Sequence, residues 1–239
     1  MSLDQRNLLI VFLSLTMVLL VMEEMGIDKD ILTHSRYLVV IMLSIATYSK
    51  RGRSHEQKIL FLAFPLMILG DFFLVLSYSI NGFPGELRYI GFIPFSAAYL
   101  LIARIYIRGF RWKKWLLLPT IVYGLLLVVI GIIIIPYLNG VQRLLGSMVA
   151  LSLTMMAWAG ASAIWNGYYG SRTALMMAFS GLLMVICDYG VALDLFYPGI
   201  GAIRSALAVN LVWLTYIPGW TILALVVVER YMNGRVYDQ

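Results

Sequence analysis

The apolar stretches of this chain carry few acids: Asp71, Asp188 and, close to the end of its stretch, Asp194. A carboxyl group placed in hydrocarbon is costly, so each is a candidate functional group. Asp71 stands in Leu66-Met67-Ile68-Leu69-Gly70-Asp71-Phe72, and Asp188 stands in Leu183-Met184-Val185-Ile186-Cys187-Asp188-Tyr189, an echo at an offset of 117 residues. Downstream, Tyr99 is answered by Tyr216 at the same offset of 117, and Phe83-Pro84-Gly85 with Arg88 is answered by Tyr197-Pro198-Gly199 with Arg204. Two carboxylates in one cavity of low dielectric cannot both carry charge cheaply, and such a pair can divide the roles of proton donor and proton acceptor. Tyr99 and Tyr216 are the expected hydroxyl partners. The guanidinium groups of Arg88 and Arg204, at the outer ends of their helices, could hold a lipid phosphate bidentately. Arg36 is a further candidate, for a head group or for an acid. Asp194 takes the place of Ser77 in the first half and is expected at the interface.

The elements that must position these groups follow from composition. Of 239 residues, 62% are hydrophobic and 13% charged, and the mean hydropathy is +0.88, values that belong to a membrane protein. At about 20 residues per span the chain holds roughly eight transmembrane helices and leaves no length for a soluble nucleotide- or nucleic-acid-binding module. Apolar runs bounded by charge, Gly, Pro or Asn predict helices at 8–25, 31–49, 59–78, 88–107, 115–135, 144–165, 173–196 and 206–228. The expected fold is all-α, one membrane domain over 1–239, with a first repeat of about 1–110 and a second of about 111–239. Four helices per repeat is an even number, so the halves should run parallel as a 4+4 bundle about an axis near the membrane normal. Measured from the predicted starts of helices 3 and 7, a rise of 1.5 Å per residue puts Asp71 at about 18 Å and Asp188 at about 22 Å, one shared depth. Gly160 and Gly181 are expected at close helix contacts.

Thirteen of the 18 lysines and arginines fall on the side of the amino terminus and the even-to-odd loops, against five on the other. By the positive-inside rule both termini are cytoplasmic, and the expected location is the plasma membrane of a bacterium or archaeon. The net charge of +6 is therefore topology and attraction to anionic membrane lipid rather than a nucleic-acid surface. The single cysteine, Cys187, excludes an intrachain disulfide and a thiolate cluster, and His34 and His55 lie outside the long apolar runs, so neither metal nor cofactor is expected. Nucleophile-elbow, zincin and P-loop motifs do not occur.

The Gly70-Asp71 helix followed by a helix with Tyr99, and the Cys187-Asp188 helix followed by one with Thr215-Tyr216, resemble the YhhN-like lysoplasmalogenase family. The chain has Arg36-Tyr37 where the family pattern has Lys-Pro, Ser96 for its histidine and Trp220 for its glutamine. The resemblance implies an eight-helix membrane hydrolase that cleaves the vinyl ether of a lysophospholipid or other single-chain lipid and releases a fatty aldehyde. It implies Asp71 and Asp188 as the acid and base. Duplicated halves with mid-membrane acids also suit a proton-coupled transporter or channel, which is the competing expectation.

Overall fold

The computed structural model describes residues 2–52, 54–198 and 206–229. These form eight α-helices: α1 (Leu3–Glu24), α2 (Lys29–Lys50), α3 (His55–Leu74), α4 (Phe92–Tyr106), α5 (Leu117–Ile134), α6 (Gly140–Asn166), α7 (Ser171–Phe196) and α8 (Ala206–Val227), with no strand among the described residues. Seven helical segments, those containing α1 to α7, are long and apolar enough to cross a bilayer. The eighth, α8, is 22 residues long and carries the apolar stretch Leu211–Val227. The protein is thus an all-helical membrane protein.

Local chemistry sets the helix starts. Ser2 with Gln5, Ser54 with Gln57 and Asn139 with Gln142 form reciprocal capping boxes at α1, α3 and α6, and the Asp28 carboxylate caps α2. The first two glutamines also bind across the bundle. The Gln5 amide donates to the Leu225 carbonyl at 3.1 Å and to Glu229 at 2.8 Å, and the Gln57 amide donates to the Glu229 carbonyl at 2.5 Å. This clasp joins α1, α3 and the end of α8 on one face of the bundle, the terminal face; the opposite end, where α3 and α7 finish, is the far face.

Two differences from the expected helix bounds lie beside Asp71. α3 starts at His55 and stops at Leu74 rather than at 78, giving way to a 3-10 turn over Leu76–Ser79. The Ser77 hydroxyl bonds the Phe73 carbonyl at 2.5 Å and so competes for the acceptor that a continuing α-helix would use. The segment expected to open helix 4 is instead a 3-10 helix, Gly85–Gly91, with α4 proper from Phe92. It lies so close to α3 that a Cβ on Gly91 would sit 2.8 Å from the Gly70 carbonyl and 3.0 Å from the Phe73 Cβ. Both changes bear on Asp71, one turn from the end of α3.

α8 packs between α1 and α7, α7 packs on α6, α6 on α4 and α4 on α3. Gly160 and Gly181 act as expected: a Cβ on the first would meet the Met177 carbonyl at 2.7 Å, and one on the second would meet Ala157 Cα at 2.9 Å, so α6 and α7 touch backbone to backbone. The halves of the chain are not packed alike throughout. α3 on α4 matches α7 on α8, yet α1 lies along α8 whereas α5 lies outside, against α6 and α7.

Candidate active site

The two aspartates keep a shared depth, deeper along their helices than expected because α3 and α7 begin earlier. Asp71 is 16 residues past His55 and Asp188 17 past Ser171, about 24 and 26 Å at 1.5 Å per residue, on the far-face side of the midplane. Asp71 is 4% exposed and Asp188 half-buried. Gly70 has a direct part in this geometry. A side chain there would run into the ring of Phe95, so the glycine lets α4 lie close to α3 beside the carboxyl group.

Each aspartate is bonded by a tyrosine from the other half of the chain. The Tyr216 hydroxyl of α8 donates to Asp71 Oδ2 of α3 at 2.6 Å, and the Tyr99 hydroxyl of α4 donates to Asp188 Oδ2 of α7. Tyr99 and Tyr216 are themselves buried. Four helices are joined by this reciprocal pair of bonds, and one oxygen of each carboxyl is held in a fixed direction.

Both aspartates lie in the wall of a cavity of about 730 Å³ bounded by α3, α4, α5, α6, α7 and α8. The wall is otherwise mostly apolar; Ser147, Cys187, Tyr189, Asp194, Trp213 and Tyr216 are its other side chains with a polar atom. All the wall segments belong to the far-face half. Toward the terminal face the space between helices is filled by Phe64, Met67, Ile102, Tyr106, Met177 and Trp220, each at most 1% exposed.

The remaining expected site residues fall in different places. Arg36 is buried in an ion pair with Glu23, and its guanidinium lies 4.3 Å from the ring centre of Trp213. Arg36 is not part of the cavity wall; Trp213 is, and its ring also meets Tyr216 at 5.7 Å between centres. Of the two partners expected for Arg36, the acid is the one present. Arg88 sits half-buried in the 3-10 helix Gly85–Gly91 and is not part of the cavity wall. Arg204 lies outside the described residues. Asp194, expected at the interface, lines the cavity six residues, about 1.7 turns, beyond Asp188.

Trp213, Tyr189 and Cys187 were not singled out by spacing, although two of them flank Asp188 directly. The Tyr189 hydroxyl, 2.6 Å from Thr154 Oγ1, fixes the ring against α6. No curated protein and no solved structure matches the chain. With the aspartate-bearing α3 and α7, the tyrosine-bearing α4 and α8 and the cavity between them all inside the matched span, residues 32–227, the chain belongs to the YhhN family.

Proposed function

We propose that this protein is a membrane hydrolase that opens the vinyl ether bond of lysoplasmalogen-type lipids. The observation that carries the reading is the pair of tyrosine-anchored aspartates in the wall of one apolar cavity. Membership of a family associated with lysoplasmalogenase supports it. In the reaction one aspartic acid protonates the β-carbon of the vinyl ether, leaving an oxocarbenium ion. The other carboxylate takes a proton from water as the water oxygen bonds to the cationic carbon; in the collapse of the hemiacetal that group returns its proton to the departing glycerol oxygen while the first carboxylate takes the proton of the hemiacetal hydroxyl, giving a fatty aldehyde and the glycerophospho-alcohol. The sum is one vinyl ether and one water giving one aldehyde and one alcohol, with both aspartates returned to their starting states. Tyr99 and Tyr216, each holding Oδ2, fix the direction in which the carboxyl carries its proton or meets the water.

Cavity size and lining support a lipid substrate. A cavity of about 730 Å³ with a mostly apolar wall has ample room for a hydrocarbon chain beside the aspartates. The reciprocal tyrosine–aspartate bonds also favour a duplicated 4+4 origin, and the bias of basic residues favours a cytoplasmic terminal face. On that orientation the aspartates sit in the outer half of the membrane.

The transporter reading requires a polar route to both faces. The cavity wall stops at Asp71, Leu127, Leu153, Cys187 and Tyr216, and below it Trp220, Tyr106 and Met177 leave no space. α7 runs unbroken past Asp188, while α3 stops one turn past Asp71, so only one of the two aspartates stands near a helix break. The deciding experiment is incubation of the purified protein with alkenyl, acyl and alkyl lysophospholipids. Aldehyde release from the alkenyl lipid alone is expected, and release from none of them would end the hydrolase reading.

A further inference from the structure

α5 is held at two places and open between them. Near the terminal face the Trp158 indole N–H of α6 donates to Thr120 Oγ1 at 2.9 Å. Near the far face Ile130, Ile134 and Leu138 pack on Ala192, Leu193 and Phe196, and Tyr137 meets Tyr197 at 5.6 Å between ring centres. Between these anchors at Val128 (57% exposed), and on into the second at Ile132 (70%), with Leu151 of α6 (57%), the cavity reaches the lipid-facing surface, these residues belonging at once to its wall and to the outside of the bundle. Gly131 of α5 and Gly146 of α6 also line it, and a Cβ on either would meet only one methyl carbon, at 3.6 Å.

We propose that this gap between α5 and α6 is a lateral window through which the hydrocarbon chain of a single-chain lipid passes between the bilayer and the aspartates, kept open by the missing side chains of Gly131 and Gly146. The inference rests on the hydrolase reading for its purpose, because a fatty aldehyde product has the same need to leave into hydrocarbon. Its physical basis is independent of the chemistry. An apolar cavity that opens sideways at a membrane-exposed wall exchanges its contents with acyl chains, since the transfer removes no apolar surface from hydrocarbon and exposes none to water. The window spans the depth of the active carboxyls: measured from the terminal-face ends of their helices, Gly131 lies about 21 Å and Gly146 about 30 Å along, on either side of the roughly 24 and 26 Å of Asp71 and Asp188. A chain entering there therefore arrives beside Asp188 without crossing the bundle.

The test uses a lysophosphatidylcholine bearing a photoreactive diazirine at the chain end, incorporated in bicelles with the full-length protein, with labelled peptides mapped by mass spectrometry. In the native protein the label is expected on 127–134 and 149–153. Gly131→Phe and Gly146→Phe should each reduce that labelling at least tenfold and Gly131→Ala should leave it intact. Gly124→Phe is the matched control, because Gly124 also lies on α5 with nothing within 4 Å of an added Cβ but is not part of the cavity wall. Gly131→Leu, with a smaller side chain, serves if the phenylalanine variant does not fold. Native protein that takes up no label at these segments, or equal loss in Gly124→Phe and Gly131→Phe, overturns the window. Labelling that follows the expected pattern in a protein that releases no aldehyde would uphold the window and sink only the vinyl ether chemistry.

Discussion

Replacing Tyr216 and Tyr99 by phenylalanine, singly and together, tests the reciprocal bonds most directly, because each change deletes one hydroxyl and keeps the ring. A hydrogen bond to a charged group contributes about 1.5–3 kcal/mol, and a buried polar group left without its partner loses about that much. The two sites differ in whether water can stand in for the tyrosine. Asp71 is 4% exposed and Tyr216 5%, so little of either faces the cavity, and Tyr216→Phe should cost about 2–3 kcal/mol of stability. Asp188 is half-buried at the cavity wall, where water can reach it, and Tyr99→Phe should cost about 1 kcal/mol. In catalysis, loss of a fixed carboxyl direction at either site should lower kcat roughly ten- to a hundredfold, on the scale of 1.4 kcal/mol per factor of ten. Unfolding midpoints in detergent read the first quantity and aldehyde release, followed with an aldehyde dehydrogenase, reads the second. Equal stability losses, or a larger loss for Tyr99→Phe, would refute the argument from burial. Unchanged kcat in both variants would show that the tyrosines do not orient the reacting groups.

Asp71→Asn and Asp188→Asn should each reduce aldehyde release by at least two to four orders of magnitude while the protein still folds, since an amide neither gives the acid proton nor accepts one from water; release at near-native rates by both variants would remove the catalytic assignment. Glu23→Gln leaves Arg36 buried without its ion partner and should cost about 3–5 kcal/mol, with much of the loss recovered by Glu23→Gln together with Arg36→Met, as measured by thermal unfolding. Gly160→Ala forces a Cβ to 2.7 Å from the Met177 carbonyl and should destabilise by about 1–3 kcal/mol, whereas Gly124→Ala, with open space, should be neutral or mildly stabilising in the same assay.

What the sequence determined by itself is whatever depends on composition and on short patterns. Hydropathy placed the chain in a bilayer, because apolar runs of helical length have no other low-energy environment, and the Leu66–Phe72 and Leu183–Tyr189 echoes marked the two acids that a membrane helix does not carry without reason. The equal depth of Asp71 and Asp188 also followed, since it needs only the helix rise and the starts of two helices. Glycines at 160 and 181 were legible for the same kind of reason: a residue without a side chain inside an apolar helix signals a near neighbour, although not which one.

Tertiary structure alone decided the partners. Tyr216 reaches Asp71 across 145 residues and Tyr99 reaches Asp188 across 89, and a helical period shows which face a residue occupies but not which helix lies opposite. The same is true of Arg36, whose pairing with Glu23 and stacking on Trp213 depends on how α2 meets the end of α1 and the flank of α8. The end of α3 turned on a local competition, the Ser77 hydroxyl for the Phe73 carbonyl, that a hydropathy run through Tyr78 does not register. The cavity, with Asp194 in its wall, exists because α5 stands outside the bundle against α6 and α7 while α1 packs along α8, a difference of packing for which two apolar helices carry no sequence signal.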